Sequence, residues 1–227
     1  MVPEEKIKVR IKFSKTGNLM YISHLDLART MQRIILRSGL DIWYSEGFNP
    51  QPKMVFAVPL PTGVESVCEL LDIKLNSKMD FDEIKQRLND NFPGEMRVLD
   101  VYEPQIKLKE IEYIDYTINI VSPKIKATSA DEIKELLSNK CMLIKKTKSG
   151  EKEVDISEYI KQITTQGGEN SVQISAIIAS GSEKNLSPEL LIEAIRKYLG
   201  IMTSETTEEY YKIMRNKMLY GNLEEFI

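Results

Sequence analysis

Apolar and polar positions alternate most clearly at the front of the chain. In Ile7-Lys8-Val9-Arg10-Ile11-Lys12-Phe13 every odd position is apolar and every even one cationic, which predicts a half-buried strand. Ser14 to Asn18 turns the chain, and Ser23-His24-Leu25-Asp26 has the Ser-x-x-acid spacing of a helix capping box. In the helix that follows, Leu25, Ala28, Met31, Ile34, Ile35 and Leu36 are expected on one broad inward face. Asp26, Arg29, Arg33 and Arg37 fall on the other, and Gly39 stops the helix. Next come a short strand around Ile42 to Tyr44, a loop from Ser45 to Pro52, a strand Lys53 to Val58 and a strand Ser66 to Leu75. A helix opened by Asp80, with Phe81, Ile84 and Leu88 inward, and a strand Met96 to Tyr102 complete the order β-α-β-β-α-β.

Glu103-Pro104-Gln105 reads as a connector, and the same order is expected to recur beyond it. The predicted elements are a strand Tyr113 to Val121, a helix Ala130 to Leu137, a strand Cys141 to Lys146 and a turn Lys148 to Glu151. A short stretch to Ile160 leads on to a strand Val172 to Ala179 and a helix begun by Ser187-Pro188. Glu209 to Tyr220 fits a strand or a helix. The fold class expected is α+β, built from two tandem ferredoxin-like units at 1–104 and 105–227, with one larger α+β domain as the alternative.

Composition narrows the function. The 227 residues are 42% hydrophobic and 29% charged, too apolar for disorder, and no run approaches a membrane span. The N-terminus Met1-Val2-Pro3-Glu4-Glu5-Lys6 lacks the apolar stretch of a signal peptide, so a soluble cytoplasmic protein without membrane partners is expected. Cys68 and Cys141, both in apolar strand contexts, suit core positions and neither a disulfide framework nor a metal cage. There is no phosphate-binding glycine loop, no dinucleotide fingerprint and no His/Cys metal cluster, so no metal or cofactor is assigned to this chain. The net charge of −3 hides an asymmetry: residues 1–60 carry nine Lys/Arg against five acids, +4, and the remainder carries −7. An anionic partner is therefore to be sought at the front.

There, Arg29, Arg33 and Arg37 at i, i+4 and i+8 form a stripe about 12 Å long, suited to phosphates or carboxylates. Lys8, Arg10 and Lys12 extend it unless Asp72 and Lys74 of the neighbouring strand pair across and cancel part of the charge. His24, the only histidine, lies at the positive end of the helix beside Ser23 and Asp26; it suits either a general acid/base or a packed residue bonded to backbone. Between Tyr44 and Lys53, Gly47 permits positive φ while Pro50 and Pro52 stiffen the backbone. The loop presents Tyr44, Ser45, Phe48, Asn49 and Lys53, an aromatic-and-amide set suited to single-stranded RNA or to a protein partner.

Lys12-Phe13-Ser14-Lys15-Thr16-Gly17, Ile22-Ser23-His24-Leu25-Asp26 with Arg29 and Arg33, Tyr44 to Lys53, and Pro59-Leu60-Pro61-Thr62-Gly63-Val64-Glu65-Ser66 together resemble the radical-SAM-linked family, the bacterial domain-of-unknown-function family 2344. That resemblance implies partnership with a radical-SAM protein, which would hold the iron–sulfur cluster and S-adenosylmethionine, often in an RNA-metabolism setting. The function expected is an accessory or substrate-recognition protein in RNA modification. Lys15, Arg29, Arg33 and Lys53 would contact phosphates, and Phe48 and Asn49 a base or the partner. The double ferredoxin-like architecture is also similar to the RAMP-superfamily RNA endonucleases, some of which cleave without metal using a histidine near their first helix. A metal-independent endonuclease using His24 is therefore one alternative, and a pure protein-docking module the other.

Overall fold

The alternating front segment forms β1 (Ile7–Lys15), with Val9, Ile11 and Phe13 fully buried. It is the hub of the N-terminal sheet in a computed structural model that describes residues 6–147, 150–204 and 207–227. Two compact units divide between Leu108 and Lys109. In the first, β1 pairs antiparallel with both β3 (Val64–Leu75) and β4 (Met96–Tyr102). The short β2 (Met54–Phe56) pairs with Leu71, Asp72 and Ile73, which β1 also uses, so it occupies the opposite edge of β3. The order is β4-β1-β3-β2, antiparallel throughout.

Helices α1 (His24–Arg37) and α2 (Phe81–Asn89) cover one face of this sheet. Leu27, Met31, Ile34 and Ile35 of α1, and Ile84 and Leu88 of α2, share a core with Val9, Ile11, Phe13, Ile73 and Val98. Each such side chain contributes roughly 1.5–3 kcal/mol by burial. Three residues assigned inward by sequence lie outside: Leu25 is 58% exposed, Leu36 50% and Phe81 37%. For the two leucines the reason is angular. At about 100° per residue, Leu25 and Leu36 sit near Arg29 on the face opposite Leu27, Met31 and Ile34. The expected strand at Ile42–Tyr44 reduces to isolated bridges, Ile42 to Leu75 and Tyr44 to Pro52, and the strand expected at 53–58 shortens to β2.

The second unit starts from β5 (Tyr113–Val121), which pairs antiparallel with β9 (Ser171–Ala179) and β10 (Tyr210–Leu219); β8 (Ile160–Gly168) pairs with β9. The order is β10-β5-β9-β8. Helix α3 (Ser129–Ser138) follows β5, and α4 (Glu189–Leu199) lies between β9 and β10. A separate hairpin of β6 (Met142–Thr147) and β7 (Gly150–Asp155) stands between α3 and β8. The sequence reading missed β7 and β8, because neither Gly150–Asp155 nor the Thr/Gln-rich 160–168 carries an apolar alternation. Of the turn expected at 148–151, Lys148 and Ser149 lie outside the described residues. The ambiguous segment at 209–220 is a strand, β10, with Ile213, Arg215 and Met218 buried. Cys68 and Cys141 are free and buried, and burial pushes the Cys141 thiol pKa up. The protein is thus α+β with largely antiparallel sheets, and among its described residues no helix is long and apolar enough to cross a membrane.

Candidate functional site

The Lys12–Gly17 and Pro59–Ser66 segments meet at one end of the N-terminal sheet, where Lys15 pairs with Ser66, whereas the base of the 44–53 loop lies at the other end of β3, beside Ile73 and Lys74. Ser23 caps α1: its Oγ accepts the Asp26 N–H at 3.1 Å and donates to the Asp26 carboxylate at 2.7 Å. Ahead of it a short 3-10 turn, Gly17–Tyr21, is fastened on three sides. The Gly17 N–H donates to Glu65 Oε1 (2.7 Å), the Asn18 N–H to Glu95 Oε1 (3.1 Å), and the Gly63 N–H to the Met20 carbonyl (2.8 Å). Gly17 has φ +59° and Gly63 φ +84°, left-handed values that favour glycine. The Lys12–Gly17 and Pro59–Ser66 segments therefore build a corner that holds the start of α1.

Lys15 belongs to that corner rather than to a binding surface. It is 1% exposed, and its ammonium donates to the carbonyls of Leu19 (3.0 Å) and Met20 (3.4 Å), so it does not reach solvent as a phosphate contact requires. Arg10 is withdrawn as well. Fully buried, its guanidinium grips Asp72 through two hydrogen bonds of 2.7 and 2.9 Å and donates to the Ile106 carbonyl at 2.8 Å. Although burial opposes its charge, Asp72 holds its pKa above the ordinary value. The register sets Arg10 opposite Asp72 and Lys8 opposite Lys74, so cross-strand pairing cancels part of the strand's charge.

The α1 arginines face solvent. Arg29 and Asp26 approach to 3.6 Å with both side chains more than half exposed, a contact that holds neither tightly. Arg33 and Arg37 are exposed and have no ion pair among the described residues. Exposed Leu25 and Leu36 share the face with Arg29 and Arg33, and Tyr21, 64% exposed, precedes the cap. These apolar neighbours were missed in sequence. Strict helical angles separate them from the buried stripe, whereas a broad apolar face absorbs them.

His24 turns the other way. Its half-buried ring meets the Phe56 ring of β2 edge-on, with centroids 5.1 Å apart at 79°. That contact brings the start of α1 against β2, three residues after Lys53 closes the 44–53 loop. The loop is pinned at its base: the Ser45 N–H donates to the Gln51 carbonyl (2.8 Å), the Gln51 N–H to Ser45 Oγ (3.0 Å) and the Lys53 N–H to the Trp43 carbonyl (3.0 Å). Pro52 is buried and bridges Tyr44, while Gly47 (φ +126°) turns the tip. Phe48 is fully exposed; Asn49, Pro50 and Lys53 are exposed, and Tyr44 stands 36% exposed at the base. The Asn49 side-chain Oδ1 accepts from Gln51 Nε2 at 3.2 Å.

The described residues contain no group of three or more His, Cys, Asp or Glu placed to hold a metal ion. What the site offers is a helix face of guanidinium forks beside apolar side chains, and a braced loop with an aromatic ring and an amide at its tip. Such groups bind; they do not by themselves make or break bonds.

No curated protein matches the sequence. Among solved structures, a chain of a Cbf5–Nop10–Gar1 complex superimposes over 96% of this chain with a TM-score of 0.48 and 10% identity. This chain spans 50% of that chain's length. A protein from Galdieria sulphuraria whose title calls it unknown superimposes over 93% of this chain and 99% of its own, with a TM-score of 0.27 and 9% identity. The sequence over residues 8–188, from β1 to the threshold of α4, matches the family described as uncharacterized proteins conserved in bacteria (DUF2344), and the chain belongs to that family.

Proposed function

We propose that this protein is an accessory, substrate-recognition partner of a radical-SAM enzyme acting on RNA, with the α1 arginines and the 44–53 loop as its RNA contact surface. The observation that carries the reading is that Arg33 and Arg37 stand exposed on a rigid helix with no ion pair among the described residues. Guanidinium groups kept from internal pairing suit phosphate oxygens, and Phe48 and Asn49 suit an unpaired base. The radical-SAM partner, with its cluster and S-adenosylmethionine, rests on the sequence resemblance alone. We also read each unit as ferredoxin-like, which the orders β4-β1-β3-β2 and β10-β5-β9-β8 support.

Fluorescence anisotropy with tRNA and rRNA fragments over a salt series tests the RNA reading. If Arg33 and Arg37 each neutralise one phosphate, replacing both by alanine lowers the log–log salt slope by about 1.4. Flat, salt-insensitive signals at micromolar protein refute it. Exposed Leu25 and Leu36 on the arginine face support a second reading, docking to a protein surface. Co-purification with a radical-SAM protein that survives nuclease and fails in Leu25→Ser with Leu36→Ser favours that reading.

A further inference from the structure

The sheet of the C-terminal unit has one face buried and one open. Ile114, Tyr116, Ile118 and Ile120 of β5 and Val172, Ile174, Ala176 and Ile178 of β9 are buried, so the alternate positions point to the other face. The strand registers arrange those positions in rows. Gln166 of β8 faces Gln173 of β9, Gln173 faces Asn119 of β5, and Asn119 faces Lys212 of β10. All four are exposed, and the row spans about 14 Å at the usual strand spacing. The next row runs Thr164, Ser175, Thr117 and Met214.

This surface is unlike the face of the N-terminal sheet away from α1 and α2, where Lys8, Lys12, Asp72 and Lys74 surround the buried Arg10. Over β5, β9 and β8 from Gln162 onward, Asp115 is the only charged residue at an outward position. The rest are mainly amides, hydroxyls and glycine. Gln173 Nε2 donates to Asn119 Oδ1 at 3.0 Å, which leaves the Asn119 amide nitrogen and the Gln173 carbonyl as an adjacent donor and acceptor. Beside them a depression of about 300 Å³ is lined by Asn119, Gln166, Gly167, Gly168 and Ser171. Gly168 leaves room there, since a Cβ at that position would meet Ser171 Oγ at 2.6 Å. Tyr210, 49% exposed, lies two residues before Lys212 and so on the same face. Lys212 has no ion pair among the described residues.

We propose that this open face is a base-reading surface for single-stranded RNA, with Tyr210 stacking a base, the Asn119–Gln173 pair hydrogen-bonding its edge and Lys212 meeting the adjoining phosphate. The inference deepens the RNA reading above and rests on it. Its chemistry follows from what the face holds. Lys217, opposite Asp115, is paired with Glu225. One unpaired β10 cation among several amides favours hydrogen-bonded edges over a phosphate track, while a donor beside an acceptor is what a base edge complements. A protein partner wants an apolar centre, yet among the described residues of this face Tyr210 is the only exposed large apolar side chain, with Val121, Ile177 and Met214 half-buried.

The test uses the full chain and fluorescein-labelled A, U and C dodecaribonucleotides in anisotropy at several salt concentrations. Tyr210→Ala should weaken binding about tenfold at fixed salt with little change in slope, as loss of one stacking contact does. Asn119→Ala with Gln173→Ala should erase the difference in affinity among the three oligomers, whereas Arg33→Ala with Arg37→Ala should lower the salt slope for all of them. Circular dichroism checks that these surface variants fold. If the arginine variant behaves as expected while the Tyr210 and amide variants bind like the parent, the sheet-face inference is wrong and the RNA reading stands. If no dodecamer and no tRNA binds in a salt-sensitive way, the RNA reading fails and takes this one with it. Crosslinks from 4-thiouridine oligomers on β5, β9 or β10 support the proposal, and crosslinks confined to residues 6–108 overturn it.

Discussion

Replacing Asp72 by alanine should be among the most damaging single changes in the N-terminal unit, although Asp72 is not itself a core residue. Arg10 is fully buried, while the Asp72 side chain keeps 25% of its exposure. Removing the carboxylate takes away two of the guanidinium's short hydrogen bonds and its counter-charge, leaving the Ile106 carbonyl at 2.8 Å and the Tyr102 hydroxyl. An uncompensated buried charge typically costs about 3–5 kcal/mol, and the acceptors that remain place this case near about 3 kcal/mol. Trp43 is the chain's single tryptophan. Its backbone N–H donates to the Lys74 carbonyl of β3 at 2.7 Å, and the Lys74 ammonium lies 5.1 Å from its ring centroid, so its fluorescence reports on this strand. With a urea dependence of about 2 kcal/mol/M, the midpoint followed by Trp43 should fall by about 1.5 M. Arg10→Met with Asp72→Leu should recover most of that loss, because no charge is left stranded. A fall below about 0.5 M, or a double variant no better than the single, refutes the argument.

Further outcomes follow from the same structure. The Ser122 hydroxyl (2.6 Å) and the Ser204 N–H (2.5 Å) donate to the Glu209 carboxylate and hold its pKa at about 2, below its ordinary 4.5. A depressed carboxylate stabilises the fold above its ordinary pKa and loses that contribution as pH falls toward 2; Glu209→Gln should therefore flatten an acid-unfolding curve, read by circular dichroism, across that interval. Gly17→Ala should cost about 1–2 kcal/mol in the Trp43-monitored urea titration, because φ is +59° and the new Cβ meets Glu95 Oε1 at 2.5 Å, where that carboxylate holds the Asn18 N–H. His24→Ala should leave RNA binding within about twofold and destabilise the unit by about 1 kcal/mol through the lost contact with Phe56. Metal-independent RNA cleavage by the parent chain that vanishes in this variant would instead establish the endonuclease alternative.

Much of the N-terminal unit was legible because its signals are local. The strict alternation of Ile7–Phe13, the Ser23–Asp26 cap and the Asp80 cap each depend on neighbours within a few residues, and each appears as read. The C-terminal unit was harder. β8 is a polar strand whose exposed residues carry no alternation, so its pairing with β9 supplies what its own sequence lacks. In α1 the apolar residues outnumber the places available against the sheet. Which of them are left in solvent depends on the helix's rotation over β1, β3 and β4.

The sequence by itself determined where charge lies along the chain, the order of strands and helices in the first unit, and the family to which the chain belongs. Those follow from residue identity and short-range periodicity. Tertiary structure alone decided which charges are free to act. Lys15 and Arg10 look, in sequence, like the rest of the basic front, yet the carbonyls of the 17–21 turn take in Lys15, and Asp72 on the paired strand holds Arg10. Arg33 and Arg37, four residues apart on a helix and without an ion pair among the described residues, remain in solvent. The open amide face of the second sheet is likewise invisible in sequence, because Gln166, Gln173, Asn119 and Lys212 become neighbours only through register. A hydrogen-bond ladder between distant segments sets that register, and no local pattern encodes it.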